Sequence, residues 1–229
     1  MATSGTTAFD LDIDDIIQEA YERCGARTNS GYDLKSARRS LNILFSEWGN
    51  RGIHLWKVSL KEQLFTSGTA TYTAPTDAND ILEAYISTTT GTSSSTTDVS
   101  LTKISRSEYA ALPNKGSTGQ PSQYYVDRQT TPTITLYQTP DASTYTYLKY
   151  YYLKKIEDAG AYSNQADVVF RFIPCMVAGL AYYISMKVNP QLTNQNKLIY
   201  EDELNRALQE DGQRTSVYIT PQTYYPQGA

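Results

Sequence analysis

The sequence predicts an α+β fold: a four-helix bundle formed by the N- and C-terminal segments, an inserted antiparallel β domain, and an extended C-terminal tail. Three observations predict it. Apolar residues recur at helical spacing near both ends, the period changes to two through the middle, and the composition carries 20 Tyr beside only 5 Phe. Tyr and the abundant Thr favour a pleated, half-buried surface. A chain of 229 residues suits one domain or two interlocked ones, with a core that needs no disulfide or metal. The expected divisions are 1–53 for the first half of the helical domain, 54–159 for the inserted β-rich domain, 160–212 for the second helical half and 213–229 for the tail.

The first helix is predicted from Asp10 to about Ala26, where Ile13, Ile16, Ile17, Ala20, Tyr21 and Cys24 share one face. Asp10, Asp12, Asp14 and Asp15 crowd its first turns, where carboxylates meet the positive end of the helix dipole, and Gly25 is placed to end it. A second helix is predicted from about Tyr32 to Asn50, with Leu34, Ala37, Leu41, Leu44, Phe45 and Trp48 as its apolar stripe. The short connection between them favours antiparallel neighbours.

From His54 to Phe65 the pattern alternates loosely, and Thr69 to Ala74 follows Ser67-Gly68, which predicts a hairpin. Ile81 to Ser87 and Val99 to Ile104 read as further strands. The stretch between them, Thr88 to Thr97, is low in complexity with nothing to bury, so a mobile loop is expected. Ser105 and Glu108 have the spacing of a capping box, starting a short helical turn before Pro113. Strands follow at Gln123–Arg128, Thr133–Thr139 and Tyr145–Ile156, the last placing Tyr145, Tyr147, Lys149 and Tyr151 on one face and Thr146, Leu148, Tyr150 and Tyr152 on the other.

Helix resumes near Ala166. Val168, Phe172, Met176, Leu180, Ile184 and their neighbours are apolar on more than one side, the mark of a central helix. Pro174 within this run predicts either a kink or a start close by. Asn189-Pro190 breaks the chain, and Leu192 to about Glu210 forms the last helix. The segment after Gly212 reads as extended, with Tyr218, Tyr224 and Tyr225 as aromatic anchors.

Composition narrows the function. A net charge of −4 and a pI near 5.1 argue against an open basic surface gripping nucleic acid, because that binding rests on phosphate neutralisation. No run approaches the roughly 20 apolar residues of a membrane span, and residues 1–10 lack the basic and apolar regions of a signal peptide. The chain is therefore expected to be made in the cytoplasm, unprocessed and soluble. Two Cys and one His leave little thiol or metal chemistry. Cys24 and Cys175 read as buried free thiols, with one disulfide as the alternative.

No catalytic constellation stands out. His54 opens a strand beside Leu55 and Trp56 and reads as structural or interfacial. A nucleophile elbow, a Gly-rich dinucleotide loop and a phosphate loop are all missing. Asp10, Asp12 and Asp14 lack the Gly and terminal Glu of a calcium loop, so helix-start acids are the better reading. Neither enzyme activity nor a cofactor or metal is expected. The Tyr-rich strands leave one alternative, a sugar-binding surface that includes Tyr151 or Tyr152.

Charge patterning is more informative. Asp12, Asp15, Glu19 and Glu22 recur at helical spacing on the first helix, and Lys35, Arg38 and Arg39 cluster on the second. These are either solvated faces pairing weakly within the helical hairpin or the two halves of a head-to-tail contact between subunits.

The order of several segments resembles a known family, the head-to-tail adaptor (connector) proteins of short-tailed bacteriophages. These segments are IIQEAYERC (16–24), YDLKSARRSLNILFSEWGNRGIHLW (32–56), GTATYTAP (68–75), ISRSEYAALPNKGSTGQP (104–121) with YYVDR (124–128), TITLYQTP (133–140), and GLAYYISMK (179–187) with residues 200–211. The resemblance implies a non-enzymatic virion protein of the neck or tail. It implies a ring, typically of twelve copies, that docks beneath the portal, extends the DNA channel without sequence-specific binding, and offers a platform to nozzle or tail proteins. It implies portal or neighbour docking by the C-terminal extension, here Tyr218, Tyr224 and Tyr225. Another neck or tail component, such as a head-completion or tail-terminator protein, is the alternative within the same class.

Overall fold

The computed structural model describes residues 5, 9, 11–28, 30–52, 55–91 and 96–211. Helix α1 (Ile13–Arg23) opens the chain. Its first amide donors are satisfied by backbone: Ile13 N–H donates to Asn164 O and Asp14 N–H to Tyr162 O. Asp12, at the N-cap, makes no side-chain capping bond and instead forms a β-bridge with Gln165. The helix ends where predicted, with Gly25 in the left-handed region at φ +68°. Helix α2 (Gly31–Arg51) starts at a capping box in which Ser30 accepts from the Asp33 amide and Asp33 accepts from the Ser30 amide. It stops at Gly52, also left-handed.

Strands β1 (Val58–Leu64), β2 (Thr71–Thr73), β3 (Ala78–Ser87), β4 (Asp98–Ser100) and β5 (Thr102–Ile104) follow, then the short α3 (Arg106–Ala111) with its Ser105–Glu108 capping box. Strands β6 (Thr118–Gly119), β7 (Gln123–Asp127), β8 (Thr133–Tyr137), β9 (Thr139–Pro140) and β10 (Tyr147–Lys154) complete the middle. They form two four-stranded sheets, β1-β10-β3-β4 and β2-β8-β7-β5, and the small pair β6-β9. The sheets are antiparallel except at β5–β7 and β6–β9, which run parallel.

Two expectations about strand pairing are corrected. Residues 54–65 and 69–74 do not make a hairpin: β1 pairs with β10, and β2 pairs with β8 in the other sheet. The turn at Gly68 carries the chain across from one sheet to the other, with Gly68 N–H donating to Pro140 O. The single strand expected over 99–104 is likewise two, divided at buried Leu101, whose amide donates to Ala84 O. In both places a short apolar alternation serves two sheets.

The inner faces of the sheets share a core of Ile81, Ile86, Leu148, Tyr150 and Tyr152 from one and Tyr72, Tyr124, Val126, Ile134 and Leu136 from the other. Tyr124 Oη donates to Leu82 O across the gap, and Lys103 Nζ donates to Ile81 O at 2.6 Å. Of the two faces that the sequence separates along β10, the one with Leu148, Tyr150 and Tyr152 lies inside.

Helix α4 (Ile173–Val188) begins seven residues beyond the predicted start near Ala166. Pro174 sits in its first turn, where a missing N–H costs nothing, so Pro174 marks a start and no kink. Residues from Cys175 to Ala181 are all buried, because α4 packs on α1, α2 and α5 at once. Helix α5 (Thr193–Asp211) returns after Asn189-Pro190. The four long helices share a second core that includes Ile13, Ile17, Leu41, Trp48, Met176, Leu180, Tyr200 and Leu204. Trp56, against Phe172 with ring centroids 4.6 Å apart, and a Lys57–Asp167 ion pair tie the approach to β1 onto that core.

Candidate assembly surfaces

The acidic residues of α1 are divided by the fold. Asp12 is half-buried in its bridge to the 160–165 segment, while Asp15, Glu19 and Glu22 are exposed. These three, with Gln18 and Arg23, rim a groove of about 610 Å³ whose floor is Phe9, Leu11, Ile173, Pro174 and Val177. Glu19 is held by Arg23 at 2.8 Å within the helix. Among the described residues, Asp15 and Glu22 make no ion pair. The apolar floor comes from the start of α4 and from Phe9, which is 59% exposed. Charge periodicity pointed to the acids of this groove; its floor is assembled from distant segments.

The basic residues of α2 are also divided. Arg38 turns inward, donating to Gly160 O at 3.0 Å with its guanidinium carbon 5.3 Å from the Tyr162 ring centroid. Lys35 and Arg39 are exposed and, among the described residues, unpaired. With Tyr32, Ser36, Arg38 and Asn42 they line a second, smaller depression of about 340 Å³. Nearby Lys187 donates to the Ser36 and Ser40 hydroxyls, and burial, then repulsion from Arg39, lowers its pKa. The two charged surfaces share no residue and no ion pair joins them, so the pairing within the helical hairpin is absent among the described residues.

A third polar cluster lies on the outer face of the β1-β10-β3-β4 sheet. Lys149 is only 4% exposed, although strand alternation points it outward. It pairs with Glu62 and Asp98, and its Nζ donates to Gly91 O at 2.8 Å, while Gly91 N–H donates to Glu62. The loop between β3 and β4 thus folds back over the sheet. Further bonds pin its arms: Thr97 N–H to Thr88 Oγ1, Thr89 to Thr96 through their hydroxyls, and Thr146 Oγ1 to Thr88 O. Residues 88–91 and 96–97 of the segment expected to be a mobile loop are thus bonded to one another and to the sheet.

Around that cluster the sheet exposes Leu60, Leu64, Leu82 and Tyr151. The two tyrosines considered for sugar contact part company here: Tyr151 is 40% exposed and Tyr152 is buried. Of the other singled-out residues, His54, Asp10, Tyr218, Tyr224 and Tyr225 lie outside the described residues.

The titratable groups with resolved shifts are mostly pushed toward neutrality by burial. The Cys24 thiol is pushed up to about 11 and that of Cys175 to about 12, and both are free and buried. Burial also raises the Tyr124, Tyr150 and Tyr183 hydroxyls to about 12, the last aided by its bond to Glu47. Among the described residues no group of three or more His, Cys, Asp or Glu is placed to hold a metal ion, and no helix is long and apolar enough to cross a membrane. What the geometry offers is surfaces: an acid-rimmed apolar groove, a basic depression on α2, and a sheet face with exposed apolar side chains.

A family model described as "SU10 adaptor protein" matches residues 7–224. No curated protein matches the chain.

Proposed function

The chain belongs to the SU10 adaptor family, a phage head-to-tail adaptor family, and from that premise we propose that it forms a ring in the virion neck, beneath the portal and in contact with tail proteins. The observation that carries this reading is the family match over residues 7–224, which spans the helical segments, the sheets and most of the tail. In the ring, of twelve copies, the helical segments pack as a four-helix bundle side by side with their neighbours. The exposed acids of α1 (Asp15, Glu19, Glu22) meet the exposed bases of α2 (Lys35, Arg39) on the next subunit, while Asp12 and Arg38, grouped with them in the sequence, are held within the chain. The finding that these two faces leave each other unpaired within one chain supports this. A heterologous contact of this kind repeats head to tail and closes when its rotation permits.

The extended tail carries Tyr218, Tyr224 and Tyr225 onto the portal or an adjacent subunit, where large amphipathic side chains make efficient anchors. The β-rich segment faces the nozzle or a neighbouring adaptor. The channel passes DNA without holding it: a chain of net charge −4 lacks the cationic excess that releases counterions from phosphate.

The copy number and position of the chain in purified virions test the reading, by quantitative mass spectrometry and a reconstruction of the neck. A copy number equal to the portal's, in a ring directly beneath it, is the expected result; copies matching a fibre or tail tube would sink it. Deleting residues 213–229 is expected to leave a folded subunit that no longer joins portal rings, and normal docking by the truncated chain would overturn the role given to the tail.

A further inference from the structure

Two surfaces of this chain are complementary in more than charge, and each lacks what the other presents. On α1, Asp15 and Glu22 are the carboxylates of the groove left without a cation among the described residues, since Arg23 takes Glu19. They stand two helical turns apart, roughly 10 Å along the axis. On α2, Lys35 and Arg39 are the unpaired cations of the basic patch, one turn or about 6 Å apart, and their long side chains can cover the difference. Tyr32 and Ile43, 73% and 50% exposed, extend the same stripe at either end, because positions 32, 35, 39 and 43 follow helical spacing. The stripe therefore has two apolar ends and a cationic centre, and its exposed side chains form a ridge along the wall of the shallow depression on α2. The groove is complementary in character: an apolar floor of Phe9, Leu11, Ile173, Pro174 and Val177 beneath an acidic rim.

We propose that the α2 ridge of one copy seats in the α1–α4 groove of the next, with Tyr32 and Ile43 on the apolar floor and Lys35 and Arg39 paired with Asp15 and Glu22. This inference rests on the homo-oligomeric adaptor reading and names its contact. Arg38 is excluded from the contact because its guanidinium is already held by Gly160 and Tyr162. Asp12 is excluded by its bridge to Gln165. The apolar ends supply affinity by leaving water, and the charges set register and hasten encounter, so the contact weakens as salt screens them.

The test is a mixing experiment read by analytical ultracentrifugation. Asp15→Lys with Glu22→Lys spoils the groove and leaves the ridge; Lys35→Glu with Arg39→Glu spoils the ridge and leaves the groove. All four positions are exposed, so both variants are expected to keep the wild-type circular dichroism; Asp15→Lys sets a cation in the first turn of α1, and a small fall in that variant's unfolding midpoint is expected. Wild type is expected to self-associate at low salt and each variant alone to stay monomeric. An equimolar mixture should recover association, because every contact between unlike chains again joins opposite charges: the intact ridge meets the intact groove, and the reversed ridge meets the reversed groove. Tyr32→Ala in the wild type should weaken association tenfold or more, while Tyr32→Phe should not. Undiminished self-association by either charge variant would overturn the contact, as would a wild type that stays monomeric at its highest soluble concentration. Neither result would alter the copy number and neck position that decide the adaptor reading, so the two fail separately.

Discussion

The indole N–H of Trp48 donates to the Tyr200 hydroxyl at 3.0 Å, fully buried, and so joins α2 to α5 across 152 residues of sequence. The Tyr200 hydroxyl in turn donates to Glu47, which also accepts from Tyr183 and pairs with Arg51 at 2.6 Å. Tyr182 stacks on the Tyr200 ring at an interplanar angle of 11°. One carboxylate at the edge of the helical core therefore organises three elements, and a buried aromatic pair closes the network from inside.

Tyr200→Phe keeps the packing and removes the hydroxyl, leaving the Trp48 N–H without a partner in a buried site. The expected loss is about 1–3 kcal/mol, the cost of an unmade buried hydrogen bond, measured by urea unfolding followed at the tryptophan fluorescence. A loss no larger than that of Tyr183→Phe, whose hydroxyl is nearer the surface, would contradict the central place given to the Trp48 bond.

Gly179 lets α4 approach both neighbours: a Cβ built there would stand 2.9 Å from the Leu44 methyls and from the Tyr200 ring. Alanine would gain up to about 1 kcal/mol of helix propensity but overpack by about 1–3 kcal/mol. Gly179→Ala is expected to lower Tm by roughly 2–4 °C. A rise in Tm would show that Leu44 yields more readily than a fully buried leucine should.

Lys149→Met should release the loop between β3 and β4, because it removes the cation shared by Glu62 and Asp98 and the bond to Gly91 O. The readout is hydrogen exchange at the Gly91 amide, which now donates to Glu62. Exchange is expected to quicken at least tenfold there while the core amides of β10 keep their protection. An unchanged Gly91 would mean that the threonine hydroxyl bonds alone hold the loop.

Stability should fall in alkali. Cys24 and Cys175 are raised by burial to about 11 and about 12, and Tyr124, Tyr150 and Tyr183 to about 12. In the unfolded chain these groups ionise at roughly 8.5 for Cys and 10 for Tyr. Above those values the unfolded state binds fewer protons than the folded one, so the stability they contribute is intact at pH 8 and is lost progressively toward pH 12. Urea midpoints between pH 7 and pH 11 check this; a midpoint that rises with pH across that range would refute it. Labelling by a thiol reagent at pH 8 should likewise be slow until the chain unfolds.

Much of the fold is legible because it is written locally. The stripes of α1 and α2, the Gly25 stop and the Ser105–Glu108 box each depend on residues a few positions apart. On α5 apolarity misleads: Leu198, Ile199 and Leu208 are exposed, while Asn196 and Tyr200 are buried beside Leu204 and Ala207. The Ser30–Asp33 box has the same kind of signal and passed unnoticed, because Asp stands where Glu or Gln is usual. The start of α4 is blurred in the sequence because residues 166–172 continue the apolar pattern while making only short turns, with Val168 N–H donating to Ala166 O and Phe172 N–H to Val169 O; apolarity reports burial, and only Pro174 reports the beginning of helix.

Of the candidate surfaces, the sequence showed the charges and not their fates. Helical spacing grouped Asp12 with Asp15, Glu19 and Glu22, yet the fold spends Asp12 on a bridge. Arg38 looks like Arg39 in the sequence and differs only because Gly160 and Tyr162, from a distant segment, come to meet it. The period of two groups Lys149 with the exposed Tyr151, and only the returning loop, through Gly91, buries it.

The sequence by itself determined where helix and strand occur, which faces are apolar, and the order of segments that marks the family. Those properties come from periodicity and capping, which act over one or two turns of chain. The tertiary structure alone decided which strands pair, that β1 and β2 part into different sheets, that Phe9 and the start of α4 floor the acidic groove, and which charges stay unpaired among the described residues. These depend on contacts between residues tens to more than a hundred positions apart, where loop closure and shape choose among partners whose local patterns are equally suitable.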